Sequence, residues 1–498
     1  MELKNNNGEW SKPIESLSQK AVRGGIWIFA LRITNKLFRL VRTVILARVL
    51  APHDFGLMGI AILAMVVIET FSHTGFNIAL IQKKGNIDEY LDTAWVAQVI
   101  RGIILFGILL AAAPFVAAFF NIPRATDIVR VIAIAMLFKG FTNTGTIYFQ
   151  KNFEFNKLYV HQISANIADL AVAIPAALIL RSVWALVFGL LASHLVGCIT
   201  SYIISPFRPR MNIDWKKFKE LFGFGRWILG SGILVFLITQ GDDAFVGKIL
   251  GATALGFYLM AYTLSNLAAT EISEALSIVT IPAYSKIQDN LNKLKDAYLK
   301  VLQLTAFISI PISGGIFILA PELTSTFLGD KWMPMVPAMQ ALALAGLVRS
   351  IASTTVPVFY AAGKPRIETK WQIVRLLVLA ALIYPFSIKW GILGVSIAVL
   401  LSIFVSNIGF SIMVIKITKC GAKNFNKLII LPLINAMIIV LSIFVLKTHI
   451  NATGILSLLL LVCIGILIYL GITYLFDRYL NYGMQSLIKE NISYLKRN

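Results

Sequence analysis

The chain has 498 residues, 58% of them hydrophobic and only 14% charged, with a mean hydropathy of +0.79. A soluble domain is about half apolar and a quarter charged, so ordinary water solubility is excluded; fourteen spans of about 20 residues would use roughly 280 residues, an apolar excess that no single globular core absorbs. The net charge of +21 would direct a soluble chain to nucleic acid, but in a membrane chain the position of the charges decides, and no nucleic-acid partner is expected.

Residues 1–20 are polar, with Asn5-Asn6-Asn7 among them, and lack the basic-then-apolar layout of a cleaved signal peptide. The first apolar run is therefore expected to be a retained helix. Runs bounded by charge or by Gly/Pro turns predict spans near 24–49, 55–80, 94–120, 128–148, 158–180, 183–204, 227–250, 255–281, 301–320, 336–361, 371–388, 391–416, 428–447 and 453–476. These runs are long and rich in Leu, Ile and Ala, whereas a closed barrel needs short alternating strands. The predicted fold class is all-α, a polytopic membrane protein of fourteen helices. With both termini cytoplasmic, one set of loops carries Lys83, Lys84, Lys151, Lys157, Arg208, Arg210, Lys216, Lys217, Lys219, Lys286, Lys293, Lys295, Lys364, Arg366, Lys419 and Lys423. The opposite set carries only Arg124, Arg181, Lys331, Lys389 and Lys447, which is the positive-inside asymmetry. Cys198, Cys420 and Cys463 lie in apolar runs with no metal or redox spacing.

An internal repeat emerges at an offset of 200 residues: Trp27, Ile28, Ile33, Leu37, Leu50, Gly56 and Ala61 match Trp227, Ile228, Ile233, Leu237, Leu250, Gly256 and Ala261. At an offset of 210, Ala133, Ala135, Leu137, Thr144 and Phe149 match Ala343, Ala345, Leu347, Thr354 and Phe359, and Lys139 matches Arg349. Six spans separate the copies, so the repeats enter on the same side and are parallel. The expected organisation is a lobe over 1–204, a cytoplasmic linker over 205–226, a second lobe over 227–416, and two further helices with a tail over 417–498.

Charge inside a span costs a few kcal/mol at the bilayer centre and normally faces a cavity or a partner. On the first span Arg32, Lys36, Arg39 and Arg42, with Asn35, share an arc of about 120°. Four bases on one face over three turns read as the lining of a water-filled cavity that receives an anion, against the alternative of side chains snorkelling to an interface. Lys139 and Arg349, placed mid-span by the run boundaries, extend that lining or form structural ion pairs. Asp242, the repeat-equivalent of Arg42, and Asp243 either bind or titrate a coupling cation, or neutralise the first-span arginines. Glu69, His73, Asp169, Glu271 and Glu274 are expected at interfaces or paired to the bases rather than as proton relays, and Arg101, Lys370 and Arg375 lie within about two turns of the cytoplasmic ends, where long basic side chains snorkel. The lone histidines His161 and His194 are expected to be packed.

No Gly-rich Lys-Ser/Thr phosphate loop, His-Glu-x-x-His helix or Gly-x-Ser-x-Gly elbow is present in the sequence. Transport without catalysis, and without a metal or an organic cofactor, is the expectation. Several local runs are similar to those of a known group: Ala47-Arg48-Val49-Leu50-Ala51-Pro52-His53-Asp54-Phe55-Gly56, Ala79-Leu80-Ile81-Gln82-Lys83-Lys84, Leu255-Gly256-Phe257-Tyr258, Ile281-Pro282-Ala283-Tyr284-Ser285-Lys286-Ile287-Gln288 and Phe327-Leu328-Gly329-Asp330-Lys331-Trp332-Met333-Pro334. Over about residues 20–420 the chain resembles the polysaccharide-flippase branch of the multidrug/oligosaccharidyl-lipid/polysaccharide exporter superfamily.

That resemblance implies two six-helix lobes around a cationic cavity, moving an undecaprenyl-pyrophosphate-linked oligosaccharide to the outer leaflet of the bacterial cytoplasmic membrane for exopolysaccharide, O-antigen or capsule synthesis. It implies alternating access reset by a proton or sodium gradient, with membrane lipids and polysaccharide polymerase machinery as further partners. Asp242 falls where similar flippases tend to have an acidic residue; His73 stands where an acidic residue is frequent, a departure from the pattern. A pyrophosphate suits converging Arg and Lys residues. A peptidoglycan lipid-precursor flippase shares that anion logic and stays open as an alternative, as does a cation-coupled multidrug exporter, although a cationic stripe argues against the latter.

Overall fold

Pro and Gly punctuate a chain that is otherwise apolar enough to stay helical wherever its backbone bonds must be satisfied internally. The computed structural model describes residues 17–72, 75–83, 87–152, 154–266, 280, 283–449, 454–480 and 482–487, with the side chains of 17–26, 28, 29 and 222–233 left aside. No strand occurs among the described residues, and the fold is all-helical. The chain forms two compact units, Met1–Phe236 and Leu237–Asn498.

The first unit contains α1 (Leu17–Val49), α2 (Pro52–Phe71), α3 (Phe76–Gln82), α4 (Asp88–Phe120), α5 (Ala125–Phe141), α6 (Ile147–Lys151), α7 (Phe155–Leu180), α8 (Trp184–Ile204) and the start of α9 (Trp215–Ile249). α4 packs along α5, α7 along α8, α1 on α7 and α2 on α5. Gly102 and Gly140 set the first of these contacts. A Cβ on Gly102 would lie 2.8 Å from the Gly140 Cα, so only hydrogen at both positions lets the two backbones meet.

Two expected spans end differently from the apolar runs. The run 55–80 is broken: α2 stops at Phe71, and α3 begins after Gly75, whose φ of +67° only glycine adopts at low cost. The run 128–148 stops at Phe141, because Asn143 turns the chain, its Oδ1 accepting from the Gly145 amide at 2.8 Å while its own amide donates to Ser201 Oγ at 2.9 Å.

The loop 205–214 and the first turns of α9 pack with the first unit. Phe218 and Leu221 join Phe76, Leu80, Leu91 and Ile147 in one apolar cluster. Polar contacts close over it: Lys83 Nζ meets Glu220 Oε1 at 2.5 Å and lies 4.0 Å from the Tyr90 ring, Tyr90 Oη donates to Glu220 at 2.9 Å, and Lys217 reaches Glu89 at 3.1 Å. Hydrogen bonds from Lys83 and Tyr90 hold the Glu220 carboxyl below its ordinary range, and the Glu220 bond holds the Lys83 ammonium above its own.

The second unit contains the rest of α9, then α10 (Gly251–Ser265), α11 (Leu291–Leu323), α12 (Val336–Ala361), α13 (Arg366–Thr418), α14 (Ala422–His449) and α15 (Ile455–Leu480). α11 packs on α12, α10 on α12, and α12 along α13, which repeats the α4–α5 and α2–α5 neighbours of the first unit. α13 is two helices joined at Gly391 (φ +56°), where the expected spans 371–388 and 391–416 meet. α14 packs on α11 and α15, with Lys447 clipped to Glu322 at 2.5 Å. Of the expected span 255–281, the described residues reach Asn266.

Nine helices among the described residues are long and apolar enough to cross a membrane. Side chains such as Phe115, Ile179 and Leu456 are three-quarters or more exposed; for a multi-pass membrane protein this is the surface that lipid covers.

Candidate functional site

One edge of the basic face of α1, at Asn35 and Arg42, meets a polar face of α7. Asn35 Nδ2 donates to Gln162 Oε1 at 2.9 Å, Asn166 Nδ2 donates to Asn35 Oδ1 at 2.7 Å, Thr34 lies 3.4 Å from the Tyr159 hydroxyl, and Arg42 Nε sits 2.5 Å from Asp169 Oδ2. Tyr159, Gln162, Asn166 and Asp169 follow a 3-4-3 spacing, one side of a helix. Gly189 on α8 makes room for the acid, since a Cβ there would lie 2.4 Å from Asp169 Oδ1. Arg42 is thus tied into an ion pair. Arg32 and Lys36 are half-buried and Arg39 is exposed.

Lys139 lies in the last turn of α5, not mid-span, because the helix ends at Phe141. Its Nζ meets Glu69 Oε1 at 2.5 Å. Arg101 on α4 donates to Ser72 Oγ at 2.9 Å and to the Glu69 carbonyl at 3.2 Å, so it turns inward instead of snorkelling. These three charged side chains, with Asn77, Gln98 and Thr142, line a cavity of about 380 Å³ within the first unit. Gln98 caps the end of α5, donating to the Lys139 and Thr142 carbonyls at 2.9 and 3.1 Å.

In the second unit Asp242 is 4% exposed, and its Oδ2 accepts the Tyr258 phenol at 2.6 Å. Asp243 is half-buried beside it. Arg349 Nη1 donates to Tyr262 Oη at 2.5 Å, with the guanidinium 5.2 Å from that ring. Arg375 on α13 interacts electrostatically with Arg349, Asp242, Tyr258 and Tyr262. Asp242 and Arg349 are therefore brought into one neighbourhood, with Arg375 as a member that its place near a span end had concealed. His161 and His194 are packed, against Thr200 Oγ1 at 3.2 Å and the Leu190 carbonyl at 3.0 Å; His73, Glu271 and Glu274 lie outside the described residues.

Residues 45–337, more than half of the chain, match the profile of the family described as "Polysaccharide biosynthesis protein". The chain belongs to that polysaccharide biosynthesis family. Among its relatives are the lipopolysaccharide biosynthesis protein WzxC of Escherichia coli K12, 23% identical over 78% of this chain and 79% of that one, and the succinoglycan biosynthesis transport protein ExoT of Rhizobium meliloti, 22% identical over 88% and 90%. The teichuronic acid biosynthesis protein TuaB of Bacillus subtilis is 23% identical over 72% and 74%. Among solved structures, the lipid II flippase MurJ in an inward closed conformation superposes with a TM-score of 0.73 at 17% identity, covering 92% of this chain and 99% of that one. An inward-facing multidrug transporter of the MOP superfamily gives 0.61 at 17% identity, covering 78% and 96%. The structural likenesses show the fold. Together with the family they describe an all-helical, multi-pass membrane protein of polysaccharide biosynthesis.

Proposed function

We propose that this family member flips an undecaprenyl-pyrophosphate-linked oligosaccharide across the bacterial cytoplasmic membrane, for exopolysaccharide, O-antigen or capsule assembly, with both termini cytoplasmic. The observation that carries the reading is the basic face of α1, where Arg42 is fixed by Asp169 and Asn35 by Gln162 and Asn166. A face held this way keeps Arg32, Lys36 and Arg39 directed together, which lowers the ordering cost of binding a pyrophosphate. Lys139 supplies a further base within the first unit, and Arg349 supplies one within the second. Alternating access exposes these bases to one side of the membrane and then the other, and a proton or sodium gradient resets the cycle, with Asp242 and Asp243 in the coupling or gating role. Relatives named for lipopolysaccharide, succinoglycan and teichuronic acid biosynthesis support a polymer precursor as the substrate; polymerase machinery is the partner this reading expects.

The likeness to the lipid II flippase MurJ favours a second reading, a peptidoglycan lipid precursor as cargo. Reconstitution in vesicles decides between them. Translocation of an undecaprenyl-pyrophosphate-linked oligosaccharide in preference to lipid II and to an organic cation is expected. Transport of lipid II alone supports the second reading, and transport of the cation alone overturns both.

A further inference from the structure

The charge cluster of the second unit draws on four helices: Asp242 from α9, Tyr258 and Tyr262 from α10, Arg349 from α12 and Arg375 from α13. Only one oxygen of Asp242 is used, because Oδ2 takes the Tyr258 phenol while Oδ1 is buried with no hydrogen-bond partner among the described residues. The guanidiniums are under-used in the same way. Arg349 spends Nη1 on Tyr262, leaving Nε and Nη2 buried and without a hydrogen-bond partner among the described residues, and Nε of Arg375 is in the same state. Buried donors left unmade are costly, so a group that supplies acceptors there binds with more than its Coulomb energy.

Burial is graded across the cluster. Asp242 is enclosed, whereas Tyr262, Arg349 and Arg375 are half-buried. Arg349 and Arg375 repel each other electrostatically, and among the described residues the negative charge that offsets them is that of Asp242, with half-buried Asp243 next to it on α9. A free cation is a poor occupant, since it would have to enter beside two guanidiniums. An anion with several oxygens offers acceptors to both guanidiniums.

We propose that Arg349 and Arg375 form a two-guanidinium phosphate subsite in the second unit, with Asp242 as a built-in counter-ion that the phosphate displaces. The proposal rests on the reading of the protein as a carrier of a phosphate-bearing lipid, and it gives Asp242 a gating role rather than that of a coupling-ion ligand. Tyr258 holds the carboxylate and Tyr262 holds Arg349, so each is fixed by a phenol while the phosphate exchanges. Competition from Asp242 keeps the site from trapping its ligand, as a carrier requires, because binding must favour entry yet permit release.

The test is inorganic pyrophosphate binding to the purified full-length protein in detergent, by calorimetry at fixed ionic strength, in wild type and in an Arg32→Gln/Lys36→Gln/Arg39→Gln background that removes the α1 contribution. Arg375→Gln and Arg349→Gln are each expected to weaken binding about tenfold or more. Asp242→Asn is expected to strengthen it by a similar factor, and Asp242→Asn/Arg375→Gln to return it near the background value. Arg375→Lys, which keeps the charge and loses the fork, is expected to fall between and guards against a misfolded glutamine variant. A structural role for Asp242 predicts the opposite sign for Asp242→Asn. Weaker binding in Asp242→Asn, or unchanged binding in Arg375→Gln, overturns the subsite and leaves the carrier reading intact, whereas a wild type that binds no pyrophosphate overturns both. Stabilisation of the wild type by sodium chloride over choline chloride that disappears in Asp242→Asn would assign the carboxylate to a cation and likewise overturn the proposal.

Discussion

In the first unit each of two bases meets one acid, Arg42 with Asp169 and Lys139 with Glu69; at the repeat-equivalent positions of the second unit, Asp242 and Arg349 share a neighbourhood with Arg375 and two tyrosines. The charge at the Arg42/Asp242 position is reversed, yet in each unit it is compensated by residues of that same unit. A duplicated bundle can therefore change the sign of a membrane charge in one copy, provided the local partners change with it. Paired charges hold helices together, and a cluster with donors to spare is suited to exchange.

The largest effect is expected where that rule is broken outright. Arg42→Asp puts a second carboxylate against Asp169 and is expected to destabilise the folded protein by about 3 kcal/mol or more, seen as a lowered unfolding midpoint in detergent. Exchange of the pair, Arg42→Asp/Asp169→Arg, should recover most of it; equal stability of the single variant and the wild type would show that the pair does not hold α1 to α7. Tyr258→Phe comes next. It removes the hydroxyl from a buried carboxylate oxygen and should cost about 1–3 kcal/mol, more than the roughly 1 kcal/mol expected for Asn35→Ala, whose partners on α7 are only partly buried. The reverse order would mean that the cluster of the second unit is wetter than its burial implies.

Glu69→Gln should cost less than about 1 kcal/mol, because the Lys139 side chain is 43% exposed. The smallest effect belongs to the contact of Lys83 with Glu220. Glu220 is held below 4.5, so its contribution is present above that value and is lost as pH falls through the lowered one; Lys83 is held above 10.5, so its contribution is present below that value and is lost as pH rises through the raised one. Both groups are solvent-facing, so Glu220→Gln should lower the unfolding midpoint slightly at pH 7 and leave no difference from wild type at strongly acid pH. A difference that persisted in acid would place the effect elsewhere.

Much of the bundle was legible because apolar runs long enough to span a membrane have few other fates. The breaks before α3 and after Phe141 were not, since each depends on a single local feature inside an apolar run, a glycine at positive φ and an asparagine that turns the chain. The stripe on α1 was readable from spacing alone. Its counterpart at Tyr159, Gln162, Asn166 and Asp169 carries the same kind of helical signal and could have been found by the same test. Arg375 could not, because its electrostatic neighbours stand on α9, α10 and α12, and a span end looks alike in sequence whether its arginine snorkels or turns inward.

The measurement that bears most directly on the central claim is translocation of an undecaprenyl-pyrophosphate-linked oligosaccharide by vesicles containing Arg32→Glu/Arg39→Glu. Both residues lie on the basic face of α1, and neither is the base of the Arg42–Asp169 pair. The account predicts a fall of at least about tenfold with folded protein still present in the vesicles, the equivalent of losing one or more charge-assisted contacts. Translocation at the wild-type rate would contradict it.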